Sequence, residues 1–209
     1  KSLEVNGGSS LLSSLASHKV FIPSACGGKA TCGLCKVTLA ESAGPVLPTE
    51  EPYLSDEEME SGVRLACQLK VKHDLKIMIP EEFFNVKQYR TRVEEIKQLT
   101  HDIKQFRFKL LEPQTIDFRA GQYVQIDSKP YDKITEAVSR AYSISSVPSE
   151  KNAIELIIRL VPGGICTTFM HNYVSEGDEI TFAGPFGQFY LHEGGDELIF
   201  IAGGSGLAP

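Results

Sequence analysis

Cys26, Cys32 and Cys35 crowd into one glycine-rich stretch, Cys26-Gly27-Gly28-Lys29-Ala30-Thr31-Cys32-Gly33-Leu34-Cys35, and Cys67 follows far downstream. Four thiolates brought to one centre suit an iron-sulfur cluster and a zinc ion alike, since both take soft sulfur ligands. Structural zinc sites usually build from two short cysteine pairs. Here three ligands cluster and one is remote, and that asymmetry favours the iron-sulfur cluster. The glycines fit the same chemistry. Backbone N–H groups stabilise the charge on sulfide and thiolate, so the loop must wrap closely with little side-chain bulk. Gly27, Gly28 and Gly33 allow that backbone, φ > 0 included.

A second constellation lies beyond residue 139. In Arg140-Ala141-Tyr142-Ser143 alternate side chains of a strand share a face, so Arg140 and Tyr142 can meet one ligand while Ser143 reaches it from the strand end. An Arg fork suits a pyrophosphate, a Tyr ring can cover a planar isoalloxazine, and a hydroxyl can hydrogen-bond the reactive flavin nitrogen. Pro162-Gly163-Gly164-Ile165-Cys166-Thr167-Thr168 then opens a helix, and a glycine turn at a helix N-terminus presents free N–H groups to a phosphate. The plainer reading of that stretch is an N-cap at Thr167. Cys166 beside it is either a reactive thiol at a helix start or a small apolar filler.

The elements that position these residues follow from periodicity. Ser2–Val5 reads as a strand, Ser9–Ser17 as a short helix with Leu11, Leu12 and Leu15 on its apolar face, and Cys35–Leu39 as a strand anchoring the loop. Ser55 with Glu58 fits a capping box, and the acids around it, Glu50 and Glu51 included, read as a solvated helix start rather than a docking face. Val63–Gln68 delivers Cys67, Leu75–Ile79 closes the first unit, and Phe83, Phe84 and Val86 make the connection apolar enough to pack. From Tyr89 onward strands are expected over Thr91–Ile96, Ile103–Leu111, Gln122–Asp127, Ala141–Ser145, Ile154–Val161 and Glu179–Ala183, with one helix over Thr167–Val174. Six short strands at this spacing indicate an antiparallel barrel. Glu197–Phe200 reads as a further strand running into the glycine loop of 201–209.

Composition sets the outer bounds. The 209 residues carry a net charge of −6 with no basic run, which excludes a nucleic-acid or anionic-membrane surface. Of five cysteines four are assigned to one centre, so no disulfide framework is expected, and a reducing, cytoplasmic setting follows. The five histidines are scattered and read as structural or surface groups. No apolar run approaches the ~18 residues of a spanning helix. The chain starts at Lys1 rather than Met and stops inside a motif, so both ends read as trimmed, and membrane association through a missing N-terminal anchor is compatible with that.

The residues also carry a family resemblance. Five residues separate Cys26 from Cys32, one more than the common plant-type C-x4-C-x2-C spacing. The stretch Phe21–Lys36, FIPSACGGKATCGLCK, resembles the ferredoxin domain of the F-subunit of sodium-pumping NADH:quinone reductases, and that of reductive activators of corrinoid proteins. RxYS at Arg140–Ser143, the glycine-helix site at Gly163–Thr167 and Gly184-Pro185-Phe186-Gly187, in this order, resemble the flavin domain of the ferredoxin-NADP reductase superfamily. Gly44–Pro48 (GPVLP), Arg64–Gln68 (RLACQ) and Ile79–Glu82 (IPEE) extend the likeness to the quinone reductases, whereas Asp127–Ser139 is shorter than the corresponding segment of that family.

The resemblance implies an α+β chain: a β-grasp plant-type [2Fe-2S] ferredoxin domain over 1–82, a connection over 83–90, an antiparallel six-stranded FAD-binding β-barrel over 91–192, and the start of an NAD(P)H-binding domain over 193–209. It implies Cys26, Cys32, Cys35 and Cys67 as cluster ligands. Arg140 and the Gly164, Ile165, Cys166 and Thr167 turn would hold the pyrophosphate, Tyr142 and Ser143 the isoalloxazine at the reacting end, and backbone of Arg159, Leu160 and Val161 the rest of the flavin. The implied activity is an oxidoreductase passing electrons from NAD(P)H through FAD and the cluster to a redox protein or a membrane-complex acceptor. A non-enzymatic ferredoxin-like carrier and a reductive activator of a corrinoid protein are the alternatives.

Overall fold

A computed structural model describes residues 2–191 apart from 6, 42 and 43, and beyond them 194, 197, 199–201 and 208. The chain divides into two compact units, Lys1–Lys87 and Gln88–Pro209.

In the first unit Ser10 caps helix α1 (Leu11–Ser17), its hydroxyl accepting from the Ser13 amide at 3.2 Å, and Leu11, Ser14 and Leu15 are buried. Strand β1 (Lys36–Leu39) alternates, with Val37 and Leu39 inside. Helix α2 (Asp56–Glu60) starts with the expected capping box: the Glu58 amide donates to Ser55 Oγ at 3.2 Å, and the Ser55 amide to Glu58 Oε2 at 2.9 Å. Glu58 also receives the Lys36 ammonium at 2.6 Å, which ties this helix to β1.

Strands β2 (Val63–Leu65) and β3 (Ile77–Met78) flank β1 in the order β2-β1-β3, both antiparallel, with Lys36 opposite Leu65 and Leu39 opposite Ile77. Leu65 and Ala66 have no exposed surface, so the segment carrying Cys67 leaves directly from the core. Ser2–Val5 forms no strand, although Leu3 and Val5 still pack on this core. Phe83 of the connection packs there as well, whereas Phe84, expected to pack with it, is 54% exposed.

The second unit contains the six expected strands: β4 (Lys87–Gln98), β5 (Ile103–Glu112), β6 (Tyr123–Asp127), β7 (Ser139–Ser143), β8 (Ala153–Arg159) and β9 (Glu179–Phe186). Their order is β7-β6-β9-β4-β5-β8. The pairs β4·β5, β5·β8, β6·β7 and β6·β9 are antiparallel, as the spacing predicted. β4 runs past the hydrophobic pattern at its C-terminal end, where Lys97 and Gln98 pair with Gln105 and Lys104 of β5 while remaining exposed.

Register shifts at Arg90/Thr91, Val93/Glu95 and Tyr123/Gln125 add twist, and the sheet curls. Its two edge strands approach each other: Ile144 bridges Leu156, and the Ser145 amide donates to the Glu155 carbonyl at 2.9 Å. Phe106, Phe108, Ile126, Ile154, Leu156 and Phe182 fill the inside, each with 1% exposure or less. At about 1.5–3 kcal/mol per buried large side chain, this interior dominates the unit's stability.

Helix α3 (Ile165–Asn172) starts two residues before the expected Thr167, because Gly164 and not Thr167 is its N-cap. It buries Cys166, Phe169 and Met170 against the sheet, and its His171 Nε2 lies 2.9 Å from the Ile158 carbonyl oxygen. Of the strand expected over 197–200, residues 197, 199 and 200 form no strand and Ile199 and Phe200 are exposed, whereas 198 and most of the glycine loop after it lie outside the described residues.

Candidate functional site

The cysteine loop hangs from the first core at two points. The Ala66 amide donates to the Cys35 carbonyl at 2.8 Å, which brings the turn carrying Cys67 against the loop. The Leu12 amide of α1 donates to the Ala66 carbonyl at 3.0 Å. Between these anchors Gly27, Gly28, Ala30 and Gly33 all have positive φ, at 66°, 85°, 53° and 67°. The loop therefore turns its amides inward, as a concave N–H nest does. At Gly33 the fit is tight: a Cβ there would stand 2.9 Å from the Tyr53 side chain.

The four thiols meet as two pairs. Cys26 Sγ and Cys32 Sγ lie 3.4 Å apart, and the Cys35 and Cys67 thiols are in hydrogen-bonding contact. Among the described residues no three His, Cys, Asp or Glu side chains converge as on a single metal ion.

The electrostatics of the thiols suit an anionic ligand set. Burial opposes ionisation of Cys26, but the Thr31 amide, the Cys32 thiol and the Lys29 amide outweigh it and bring its pKa down to about 7. Contact with Cys35 brings Cys67 down to about 6, against the opposing effect of burial, with Gln68 and the Ala30 amide assisting. Their partners move the other way: burial raises Cys32, and the Cys67 thiol together with burial raises Cys35. In each pair one thiol is thus eased toward ionisation while its partner is held protonated, so a bound cation would be what draws off the second proton. Two irons, each drawing on two thiolates, match that donor set.

The loop that faces this nest is fixed by a buried ion pair that hydrophobic patterning does not reveal. Glu50 has no exposed surface and receives Arg64 Nη2 at 2.5 Å, the Leu65 amide at 2.8 Å and the Leu47 amide at 3.0 Å. In the sequence Glu50 reads as one more solvated acid. The signal that could have found it is the apolar setting of Arg64 between Val63 and Leu65.

In the second unit, β7 carries Arg140 and Tyr142 on one face, opposite Ile126 and Val124 of β6, and ends at Ser143 opposite Tyr123. All five residues of β7 keep partial exposure, unlike the strands that fill the interior. Arg140 Nη1 donates to the Ser139 carbonyl at 2.6 Å, and its charge reaches both Tyr142 and Cys166. These three groups therefore gather at the start of α3. The Tyr142 hydroxyl is buried in contact with the weakly hydrogen-bonding Cys166 thiol and makes no hydrogen bond of good geometry among the described residues. Burial first, and Cys166 second, push its pKa far above the usual phenol value. An orphaned phenol on a partly open strand is the mark expected where a ligand supplies the missing partner.

The turn before α3 is equally specific. Gly163 has φ +73°, and a Cβ on Gly164 would stand 2.6 Å from Thr167 Oγ1 and 3.0 Å from the Val161 carbonyl oxygen. Thr167 Oγ1 accepts from the Val161 amide at 3.2 Å and lies 3.2 Å from the Gly164 carbonyl, so it braces the turn. Gly164 provides no side-chain cap, and the first-turn amides of Ile165, Cys166 and Thr167 have no acceptor inside the helix. Tyr131, which sequence reasoning passed over, donates its hydroxyl to the Ile165 carbonyl at 2.8 Å and stacks on Phe169.

Cys166 is 2% exposed and burial raises its pKa, which is the environment of an inert filler rather than a reactive thiol. Arg159 directs its guanidinium to Asp102 Oδ2 at 2.8 Å, and the Leu160 amide donates to the Asp102 carbonyl at 2.7 Å. The Arg159 side chain is thus held by the β4–β5 turn.

Comparisons with known proteins give each unit a family match. Residues 1–72 match the family described as 2Fe-2S iron-sulfur cluster binding domain, and residues 90–190 the Oxidoreductase FAD-binding domain. The chain is 35% identical over 244 residues to the Na(+)-translocating NADH-quinone reductase F-subunit of Histophilus somni, covering 100% of this chain and 60% of that protein. It is 36% identical over 242 residues to the Pseudomonas aeruginosa counterpart, covering 100% and 59%. Thus the chain spans about 60% of the length of these curated relatives. Among solved structures, the Amycolatopsis cytochrome P450 reductase GcoB superposes with a TM-score of 0.69 at 28% identity, covering 99% of this chain and 62% of that one. The ferredoxin reductase in carbazole 1,9a-dioxygenase gives 0.67 at 25%, covering 98% and 64%. The chain therefore comprises a 2Fe-2S iron-sulfur cluster binding domain followed by an oxidoreductase FAD-binding domain.

Proposed function

We propose that this chain is the cluster and flavin portion of an NAD(P)H-dependent reductase that delivers single electrons to a redox protein or a membrane complex. The observation that carries the reading is the occurrence, in one chain, of paired thiols inside an N–H nest and an orphaned strand tyrosine beside an uncapped glycine-helix turn. The first unit is read as a β-grasp over 1–82 and the second as a closed barrel over 91–192, supported by the Ile144–Leu156 bridge between the sheet edges. Residues 193–209 are read as the start of a nicotinamide domain.

When bound, FAD accepts an electron pair as hydride and the [2Fe-2S] cluster carries electrons away one at a time. The chain's residues provide the binding and the electrostatics. Cys26 with Cys32 would hold one iron and Cys35 with Cys67 the other. The amides of Lys29, Ala30 and Thr31 steady the thiolate charge. Arg140 and the amides of Ile165, Cys166 and Thr167 would hold the pyrophosphate, Arg140 by a bidentate fork and the helix end by its dipole. Tyr142 would lay its ring on the isoalloxazine and give its hydroxyl a partner, and Ser143 would reach the reactive nitrogen from the strand end. Arg159, Leu160 and Val161 would contribute backbone only.

No helix among the described residues is long and apolar enough to cross a membrane. The similarity to one component of a sodium-translocating quinone reductase favours an acceptor within a membrane complex, reached from the cytoplasmic side.

The test is anaerobic reconstitution of the chain with iron, sulfide and FAD, followed by metal, sulfide and flavin assay and an electron paramagnetic resonance spectrum after dithionite. Two irons, two sulfides and one flavin per chain are expected. Zinc retained in place of iron, or a chain that takes up no flavin, would reject the reading.

A further inference from the structure

Cys67 receives a hydrogen bond that is not part of the backbone nest. Gln68 Nε2 donates to Cys67 Sγ at 3.5 Å, and Thr49 Oγ1 donates to Gln68 Oε1 at 2.9 Å. Thr49 comes from the segment fixed by Glu50, and Gln68 from the segment that leaves the core at Leu65, so two buried anchors hold the ends of this relay. Most of the other donors to the four thiols are backbone amides, which substitution does not remove; the Thr31 side chain at Cys26 is the other side-chain contribution.

We propose that Gln68 is a positioning residue that raises the reduction potential of the cluster through its amide bond to Cys67, and that Thr49 holds the amide in the required orientation. This rests on the cluster reading of the four cysteines. A ligated thiolate has no proton and can only accept, so the Gln68 amide must present its NH2 to sulfur and its carbonyl elsewhere. The Thr49 hydroxyl gives that carbonyl a donor and disfavours the flipped amide. One electron entering the cluster adds negative charge that the ligand sulfurs share. A donor to sulfur therefore stabilises the reduced form more than the oxidised one, and hydrogen bonds to sulfur are a recognised determinant of cluster potential. Partial exposure of Cys67 and Gln68 leaves room for the effect to be read without collapse of the core.

The experiment is a potentiometric titration of the reconstituted chain with dithionite, following the cluster by electron paramagnetic resonance and the flavin by absorbance. Gln68→Leu should lower the cluster's equilibrium constant for reduction about tenfold, a fall of about 59 mV for one electron, with the flavin potential unchanged. Thr49→Val, at an exposed position away from the ligands, should shift it the same way by less, and Thr49→Ser should restore the wild-type value. A fully loaded Gln68→Leu or Thr49→Val chain with the wild-type cluster potential, or one in which cluster and flavin shift together, overturns the proposal. A wild-type chain that takes up no iron and sulfide overturns the cluster reading itself.

Discussion

The carboxylate of Glu50 and the guanidinium of Arg64 form a buried pair, 0% and 4% exposed, joined by three N–H···O contacts between 2.5 and 3.1 Å. The remaining lone pairs of Glu50 take the amides of Leu47 and Leu65. This pair clamps the 44–50 segment onto β2, three residues ahead of Cys67. A buried pair of this kind stabilises only while both partners and their extra hydrogen bonds are present.

Removing one partner should therefore be costly. Glu50→Ala or Arg64→Met is expected to destabilise the first unit by about 3–5 kcal/mol, since each strands a buried charge or its amide donors. The double substitution Glu50→Leu with Arg64→Met should recover only part, because the Leu47 and Leu65 amides stay unpaired. Urea unfolding of the three variants, read by circular dichroism, checks the order.

The same pair sets an acid response. Burial works against the Glu50 carboxylate, but the Arg64 guanidinium and the two amides more than compensate, and its pKa is lowered. A carboxylate depressed in the folded state contributes stability that is present above the unfolded value of about 4.3 and is lost as pH falls through the folded one. Stability measured from pH 7 to pH 3 should fall in that window, and the fall should be shallower in Glu50→Gln. An equal slope in both proteins would remove Glu50 from the account.

Tyr142→Phe separates the folded chain from its ligand. Deleting a buried hydroxyl that makes no well-formed hydrogen bond should stabilise the flavin-free protein by about 1 kcal/mol. In the proposed site the same change removes a bond to the flavin, so FAD affinity should fall about tenfold, or about 1.4 kcal/mol. Thermal unfolding without FAD and calorimetric titration with it should move in opposite directions.

Gly164→Ala tests the turn before α3. Its Cβ would push on Thr167 Oγ1, which can rotate, and on the Val161 carbonyl, which is backbone and cannot. Stability should drop by about 1–3 kcal/mol, as for overpacked sites, with a loss of FAD affinity. Adding Thr167→Ala should return less than half of it, since the clash with Val161 remains. Titration of FAD into the single and double variants reads both.

The local chemistry of this protein was legible in its residues. Cysteine spacing with φ-permissive glycines announced a thiolate nest, Ser55 and Glu58 announced their capping box, and period-two alternation located six strands to within a few residues, because each signal is carried by neighbours in the chain. Thiol pairing was not legible, since whether Cys35 meets Cys32 or Cys67 depends on how β2 docks beside β1. Nor were the burial of Glu50, the Thr49–Gln68–Cys67 relay or the clasp of Tyr131 on α3, each of which depends on a bond between residues 14 to 34 positions apart. An acid reads as solvated until a guanidinium from another strand is folded against it, and an amide has no direction until both of its partners are in place. Tertiary packing decided these, because desolvation makes a polar contact specific and only the assembled core removes the water.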